Sequence, residues 1–566
     1  RHPGRRRVRH RRKGGPVSQE TDEPTGEGFE PPQGIDPELI PYLMAAEQED
    51  DSELSDELGA DGTGGSGELD EIEQLRKVVR ETLLAGADPE LIASILGEGE
   101  EDDEDVEWGT LESADEALIS EAEAEAALGA LYQDLVTRTP EHDFDPTTKR
   151  VEDVLYLLGD PQDAYPIIHI AGTNGKTSTT RLASALLSGF GLRSGTFTSP
   201  HLQSVRERIQ VNGEPLFAKE FLAAWRDVEP YIQLVDQKAA EVGGQQVSYF
   251  EALTITALAA FADIPVDVAV IETGLGGRWD ATNVAPSGVQ VITPISLEHQ
   301  NYLGDSLEEI AGEKAQIIKD GGIAVVAAQE PAALAVIEAR CAEVDALMRL
   351  EGRDWAVESR QSGVGGQLIS VRTPAALYED LFVPLHGAHQ AQNAAAALVA
   401  VEAMMGGKAL QAEVIEQGFM QARSPGRLEI VRRSPTVIVD AAHNPAGVEA
   451  MRQGLIEAFQ LDYLVGVFSA MADKQIETML VEIEPVMERI VITSMPSPRA
   501  ADVDQLMEIA IDVFGEDRVS REDNLVDALD EAIRLMDEPS DPSLQRAVVV
   551  FGSIMLDGAA RALFDK

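Results

Sequence analysis

The sequence predicts an α/β protein: two domains built on parallel sheets, preceded by an acidic extension without a core of its own. Three observations carry that prediction. From about Leu131 onward, apolar β-type runs alternate with Ala-rich helical stretches, the pattern of strand–helix–strand units. One of these runs leads into a Gly-rich turn ending in Gly-Lys-Thr, the layout of a phosphate-binding loop. The excess negative charge per residue is concentrated ahead of this region.

Residues 1–13 carry eight Arg and Lys, whereas 14–130 hold 36 acidic residues against 3 basic ones, and 98–107 has eight acids in ten positions. Such a stretch cannot bury enough apolar surface to offset its ordering entropy, so 1–130 is expected to be mostly disordered. Ile72, Leu75, Val79 and Leu83 recur at helical spacing, and Asp88-Pro89 can start a second short helix ending near Leu96. This pair reads as a solvated tail or as a hairpin that docks a partner.

The 566-residue chain has 45 Lys and Arg against 100 Asp and Glu, a formal net charge of −55. That balance argues against nonspecific binding to nucleic acid or anionic lipid as the main role. Hydrophobic residues, at 44%, suffice for real cores. Cys341 is the single cysteine, which excludes a disulfide framework and points to a reducing compartment. No apolar stretch approaches the ~18 residues that span a bilayer, and the opening charged run is not the apolar region of a secretory signal. A cytoplasmic monomer without membrane or nucleic-acid partners is the expectation.

Strands are expected at 167–170, 266–271, 289–292, 323–326, 436–439, 463–468, 489–493 and 547–551. Arg423-Ser424-Pro425-Gly426-Arg427 breaks the helical pattern. The expected domains are therefore 131–425 and 426–566. In His169-Ile170-Ala171-Gly172-Thr173-Asn174-Gly175-Lys176-Thr177, backbone N–H groups and a helix N-terminus would bind phosphates. Lys176 would neutralise the outer phosphates, and the Thr177 hydroxyl is placed to help hold Mg²⁺. Ile170 stands where the standard loop has its first glycine.

Glu272 ends an apolar strand, where the carboxyl ends of parallel strands form a ligand crevice, and a carboxylate there suits a hard cation. His299 lies just past the next strand. Ser306-Leu307-Glu308-Glu309 reads as a capping box. In the helix it starts, Lys314 falls on the stripe of Leu307, Ile310, Ala311, Ile317 and Ile318. Such a lysine either loses its proton and becomes nucleophilic, or snorkels its ammonium to water.

The Ala171–Thr177 loop resembles the ATP loop of the Mur ligases. Further segments resemble folylpolyglutamate synthase and dihydrofolate synthase within that superfamily. They are Thr198-Ser199-Pro200-His201-Leu202, Glu207-Arg208-Ile209, Ser248-Tyr249-Phe250-Glu251, and Glu272 through Asn283. Downstream come Leu385-His386-Gly387-Ala388-His389-Gln390 with Asn393, Ser424-Pro425-Gly426-Arg427, Asp440-Ala441-Ala442-His443-Asn444-Pro445, and Gly552-Ser553. The likeness runs from about 130 to the C-terminus.

The resemblance implies a Mur-ligase-like fold: a P-loop ATPase domain and a smaller Rossmann-like C-terminal domain. It implies ATP-dependent addition of L-glutamate to a folate, and also to dihydropteroate, through an acyl phosphate. Lys176, Lys314 and His299 would be catalytic. Asn174, Gly175, Lys176, Thr177, Asn393, Arg427 and Asp440 would bind ATP. Ser199, Glu272 and His299, with Thr177, would hold Mg²⁺, and a carbamylated Lys314 would support a second ion. Ser248, Tyr249, Phe250, Glu251, Trp279, Asp280 and Ala281 match folate contacts, and His443 and Ser553 match positions for the incoming glutamate. Ser424 departs from the aromatic residue many relatives carry before Pro-Gly-Arg. Two alternatives remain open from the sequence: a cell-wall Mur ligase, and a noncatalytic nucleotide-binding module with an acidic arm.

Overall fold

The computed structural model describes residues 111–139, 146–541 and 543–564. The short helices expected near 72–83 and 89–96 and the acidic run at 98–107 lie outside the described residues.

The first domain opens with helices α1 (Leu111–Leu135) and α2 (Lys149–Leu158). Then follow β1 (Ile167–Ala171), α3 (Lys176–Gly189), β2 (Ser194–Phe197), β3 (Ile209–Val211) and β4 (Glu214–Pro215). Helices α4 (Ala218–Glu241) and α5 (Tyr249–Asp263) lead to β5 (Val268–Glu272) and β6 (Val289–Ile292). Next come α6 (Gln300–Leu303), α7 (Leu307–Lys314), β7 (Ile323–Val326), α8 (Pro331–Glu343) and β8 (Leu347–Leu350). The eight strands lie in the order β4-β3-β2-β5-β1-β6-β7-β8, parallel except where β3 and β4 form an antiparallel edge. Side chains alternate along β1: Ile167 joins the core under α4 and α5, while Ile168 and Ile170 pack toward α3.

A meander of β9 (Ala356–Gly363), β10 (Gly366–Arg372) and β11 (Leu377–Val383) follows, then α9 (Ala388–Met404) and α10 (Ala412–Gln421). Its outer strands β9 and β11 carry exposed polar residues and its central strand β10 buries Gln367 and Ser370, which is why no apolar run marks them in the sequence. Helix α9 is buried along nearly its whole length, because Ala at eight of its 17 positions lets it press close to α3 and the sheet.

The second domain starts with β12 (Glu429–Arg433) and β13 (Thr436–Asp440), and continues through α11 (Pro445–Phe459), β14 (Tyr463–Phe468) and α12 (Ile476–Ile483). It ends with β15 (Arg489–Thr493), α13 (Val503–Phe514), β16 (Val519–Glu522), α14 (Leu525–Asp537), β17 (Arg546–Phe551) and α15 (Ile554–Leu563). The order is β12-β13-β17-β14-β15-β16, with β12 antiparallel at the edge. Apolar cores cover both faces. All eight expected strands form, with bounds shifted by two residues or fewer.

One expected boundary needs correction. Helix α1 runs through 130/131, and its side chains from Glu121 on belong to the first domain. Leu128 and Leu135 are buried in its core, Glu121 accepts from the Ala218 N–H at 2.7 Å, and Glu125 pairs with Arg206. The acidic composition hid this stripe, because two of the acids serve as partners within the fold.

Candidate active site

Strand β1 delivers the phosphate loop to the carboxyl edge of the first sheet. Gly172 has a φ of 152°, and a Cβ there would lie 1.8 Å from the Thr293 hydroxyl. Gly175 has a φ of 88°, and its Cβ would lie 2.5 Å from Asn393 Oδ1. The loop thus needs glycine at both places. No side chain caps α3, so its first N–H groups stay available to an anion. The Lys176 amine folds back, donating to the carbonyls of Gly172 (3.3 Å) and Thr173 (3.2 Å).

Strands β5, β2 and β6 place the candidate metal ligands around this loop. The Thr177 hydroxyl donates to both Glu272 oxygens at 2.9 Å, and the Ser199 N–H reaches Oε2 at 3.4 Å. Glu272 is 1% exposed. Burial pushes its carboxyl pKa up, opposed by the Lys176 charge and the Thr177 hydrogen bond. His299 has a left-handed backbone (φ 53°), and burial pulls its pKa down to about 4, leaving a neutral ring able to donate a lone pair. Thr177, Ser199, Glu272 and His299 line one cleft. This oxygen-rich set, gathered on a buried carboxylate, suits Mg²⁺. Among the described residues no three His, Cys, Asp or Glu gather as a metal cluster.

The Ser306–Glu309 capping box forms and starts α7, which ends at Lys314. Lys314 is 4% exposed and donates to the Gly172 carbonyl at 2.7 Å. The ammonium therefore does not snorkel. Burial, then the charge of Lys176, pulls its pKa down to about 7. It sits beneath the loop and does not line the cleft itself.

The cleft measures about 810 Å³ and lies between the two domains. At one end Ser248, Tyr249, Phe250, Glu251, Trp279, Asp280 and Ala281 line it. Several of these are already engaged. Ser248 and Glu251 form the capping box of α5, and Arg150 grips Glu251 through Nη2 at 2.9 Å and Nε at 3.1 Å. Asp280 accepts from the N–H groups of Leu275 (2.8 Å) and Thr282 (3.0 Å), which fixes the Gly-rich turn. Phe250 packs on Phe197, with ring centroids 5.8 Å apart. Three residues that the sequence reading did not assign to the site share this end, two of them, His201 and Arg208, from family-like segments. Tyr132 of α1 stacks edge-on against His201 and Tyr249, and the Arg208 guanidinium lies 5.2 Å from the Tyr249 ring.

The second domain supplies the opposite wall. Arg427, His443 and Ser553 line the cleft. Arg427 donates to its neighbour's carbonyl, that of Gly426, at 3.2 Å. Ser553 caps α15 through the Met555 N–H. Asp440 and Asn393 do not line the cleft. Asp440 accepts from the N–H groups of Leu428 (2.8 Å) and Ala442 (2.9 Å), so it shapes the turns on either side of Arg427 and His443. Asn393 donates to Gln390 and presses on Gly175. Ser424 joins the chain at this point through a 3.0 Å hydrogen bond to Ser178.

Sequence reasoning also missed Glu298, Asn444 and Lys474 as site residues. Glu298 Oε1 lies 3.2 Å from His443 Nε2, 3.3 Å from Lys474 Nζ and 3.4 Å from Asn444 Nδ2. Burial pushes the Glu298 carboxyl pKa up, but the hydrogen bond from His443 and the charges of His443 and Lys474 outweigh it and hold the pKa well below the usual range. Adjacency to His299 was the available signal for Glu298. Nothing marked Lys474.

A parallel-sheet ATPase domain facing a second α/β domain across such a cleft is the architecture of a Mur-type ligase, and the family comparisons agree. Residues 170–401 match the Mur ligase middle domain and residues 426–554 the Mur ligase glutamate ligase domain. The chain is 46% identical over 448 residues to a dihydrofolate synthase/folylpolyglutamate synthase of Mycobacterium tuberculosis, covering 76% of this chain and 92% of that one. An Escherichia coli protein of the same description is 32% identical over 365 residues, covering 64% and 81%. A crystal structure of the M. tuberculosis folylpolyglutamate synthase complexed with ADP and AMPPCP superposes with a TM-score of 0.75 at 44% identity, covering 78% of this chain and 99% of that one. The chain belongs to the folylpolyglutamate synthase/dihydrofolate synthase family of the Mur ligase superfamily.

Among the described residues no helix is long and apolar enough to cross a membrane.

Proposed function

We propose that this protein is an ATP-dependent ligase that joins L-glutamate to a folate, and to dihydropteroate, with release of ADP and phosphate. The observation that carries this is the convergence of the phosphate loop and the Glu272 cluster of one domain, with Lys314 bonded to that loop from beneath, on a cleft whose far wall holds Arg427, His443 and Ser553. Relatives named for both synthase activities, and solved relatives described with ADP, AMPPCP and DHPP, support it.

A carboxylate does not react with an amine at neutral pH because its oxygen leaves poorly. Phosphoryl transfer from ATP to the folate carboxylate creates a good leaving group, and the amine of L-glutamate then displaces phosphate. The protein's part is alignment and charge neutralisation. The free N–H groups of α3, with Asn174 and Gly175, cradle the phosphates. Lys176 turns from its own loop carbonyls onto the outer phosphate, and Arg427 approaches from the hinge between the domains. Thr177, Ser199, Glu272 and His299 are the residues that would hold Mg²⁺, which would shield phosphate charge when bound. Lys314, as a carbamate, would place a second anion beneath the same loop for a second ion. Asn393 and Asp440 act indirectly, Asn393 by packing on the loop and Asp440 by setting the Arg427 turn. The aromatic end of the cleft takes the flat heterocycle, with Tyr249, Phe250 and Trp279 as walls. Ser248, Glu251, Asp280 and Ala281 hold those walls in place. His443 and Ser553 face the incoming amino acid.

A cytoplasmic monomer acting on these small molecules is part of this reading. The cell-wall ligase and the noncatalytic module are separated from it by one assay. ADP release is measured with L-glutamate plus dihydropteroate or tetrahydrofolate. Release with either acceptor supports the reading, and no release with both overturns it.

A further inference from the structure

Several contacts cross between the domains. Arg561 donates to Gln203 at 2.9 Å and Arg360 to Glu457 at 2.6 Å, both away from the cleft walls. Inside the cleft the contacts are of another kind. One oxygen of Glu298, from the first domain, takes three side chains of the second: His443, Asn444 and Lys474. His443 Nδ1 faces the Ala441 carbonyl at 2.9 Å, which fixes the ring's orientation toward Glu298. Beside them Asn174 of the phosphate loop and Asn444 hold each other, Asn444 Nδ2 donating to Asn174 Oδ1 at 3.0 Å.

Glu298 is not loosely placed. The segment that carries it follows β6 and is stitched to the phosphate loop. The N–H groups of Thr173 and Asn174 point at the Pro294 carbonyl, at 3.0 and 3.3 Å. The Ser296 N–H donates to the Thr173 hydroxyl at 3.1 Å. These bonds tie the segment just before Glu298 to the loop. The Glu298 and Lys474 side chains are only 10% and 13% exposed, so salt screens their attraction less than it screens a surface pair.

We propose that Glu298 is the positioning residue that latches the second domain over the phosphate loop. It sets His443 and Lys474 at a fixed distance from the transferred phosphoryl group. The proposal rests on the ligase reading. It assigns Glu298 no contact with the reacting atoms.

The test compares native protein with Glu298→Gln and Glu298→Asp. Glutamine keeps the shape but loses the charge, and aspartate keeps the charge on a shorter arm. Three readouts are taken: kcat and KM for each substrate, affinity for AMPPCP, and the distance between spin labels on α2 and α13, by pulsed electron resonance. The expected result for Glu298→Gln is kcat down tenfold or more, AMPPCP affinity changed less than about twofold, and a longer or broader interdomain distance. Aspartate should fall between the two. If Glu298→Gln does not fold, Lys474→Met breaks the same latch from the other domain and should lengthen the same distance. Native kcat in Glu298→Gln overturns the proposal, as does a lost kcat with the distance unchanged. So does a lower KM for L-glutamate at unchanged kcat, which would make Glu298 a competitor of the substrate. Failure of the ligase reading is seen separately, as a native protein that releases no ADP with any folate.

Discussion

Lys314 offers the sharpest test of the chemistry. Burial and the neighbouring Lys176 bring its amine from 10.5 to about 7. At pH 8 about nine-tenths of such an amine is unprotonated, against about 0.3% for an ordinary lysine, a gain in nucleophile of roughly 300-fold. Carbon dioxide is the small electrophile expected to capture it. The amine nitrogen forms a bond to the carbon, one proton leaves, and a buried near-neutral group becomes an anion beneath the phosphate loop. The perturbation is Lys314→Ala, and the assays are carbon-13 resonance after exposure to labelled bicarbonate and steady-state ADP release. Native protein at pH 8 should show a bound carbamate and the variant none. Loss of a residue that supports a metal this way typically costs about 10- to 100-fold in activity. Acetate or formate, small enough for the space vacated, should restore part of it. Full activity in Lys314→Ala, or no carbamate on the native protein, refutes the assignment.

The other predictions concern the loop, a buried pair and acid stability. Gly172→Ala should abolish AMPPCP binding by calorimetry while the protein stays folded, because its Cβ would fall 1.8 Å from the Thr293 hydroxyl; native affinity would contradict the loop's role. Arg150→Met leaves the Glu251 carboxylate buried without its cation and should cost about 3–5 kcal/mol in urea denaturation; a loss below about 1 kcal/mol would show the pair to be dispensable. His169 is fully buried, with its Nε2 at 2.8 Å from the Thr282 hydroxyl, and burial lowers its pKa to about 3. Its folded value lies below the unfolded 6.5, so the unfolded chain binds more protons between them, and stability falls as pH drops through that window. The loss is about 1.4 kcal/mol per pH unit from this residue, and His169→Leu should remove it; an unchanged pH slope would count against burial as the cause.

How much of this was legible beforehand depended on what each residue advertises. The eight strands expected were mostly apolar runs, since a strand covered on both faces has few polar positions to interrupt it. Strands β9 and β11 failed that test because much of their surface meets water, and β10 because buried Gln367 and Ser370 interrupt it. Helix α1 was masked by its acids, two of which have partners in the first domain. The metal and phosphate candidates could be proposed from the sequence because their chemistry demands particular residue types at strand ends. Asp440 and Asn393 illustrate the opposite case. Their motifs marked them as nucleotide contacts, and the fold shows that they also brace turns and press on a glycine, contacts that a residue's identity does not reveal.

Glu298 and Lys474 show why the remainder was hidden. They stand 176 positions apart, on different domains, and neither sits in a spacing that means anything locally. Their relation exists only once two sheets are folded and docked, because each sheet alone presents just half of the charge pair. Residues that bind phosphate can be read from one segment, since one loop performs the task. Residues that set the distance between two half-sites cannot, since that distance belongs to neither segment. Changes at Arg427 or Ser424 should therefore disturb the same geometry as changes at Glu298, although nothing in their local sequence connects them. Serine at 424 is held by Ser178 of α3 at 3.0 Å, so the hinge is fastened at both ends: by that hydroxyl pair next to the loop helix, and by the Glu298 cluster across the cleft. Ser424→Ala should then leave AMPPCP affinity within about twofold while lengthening the same interdomain distance that Glu298→Gln lengthens, and an unchanged distance would show the hydroxyl pair to be incidental.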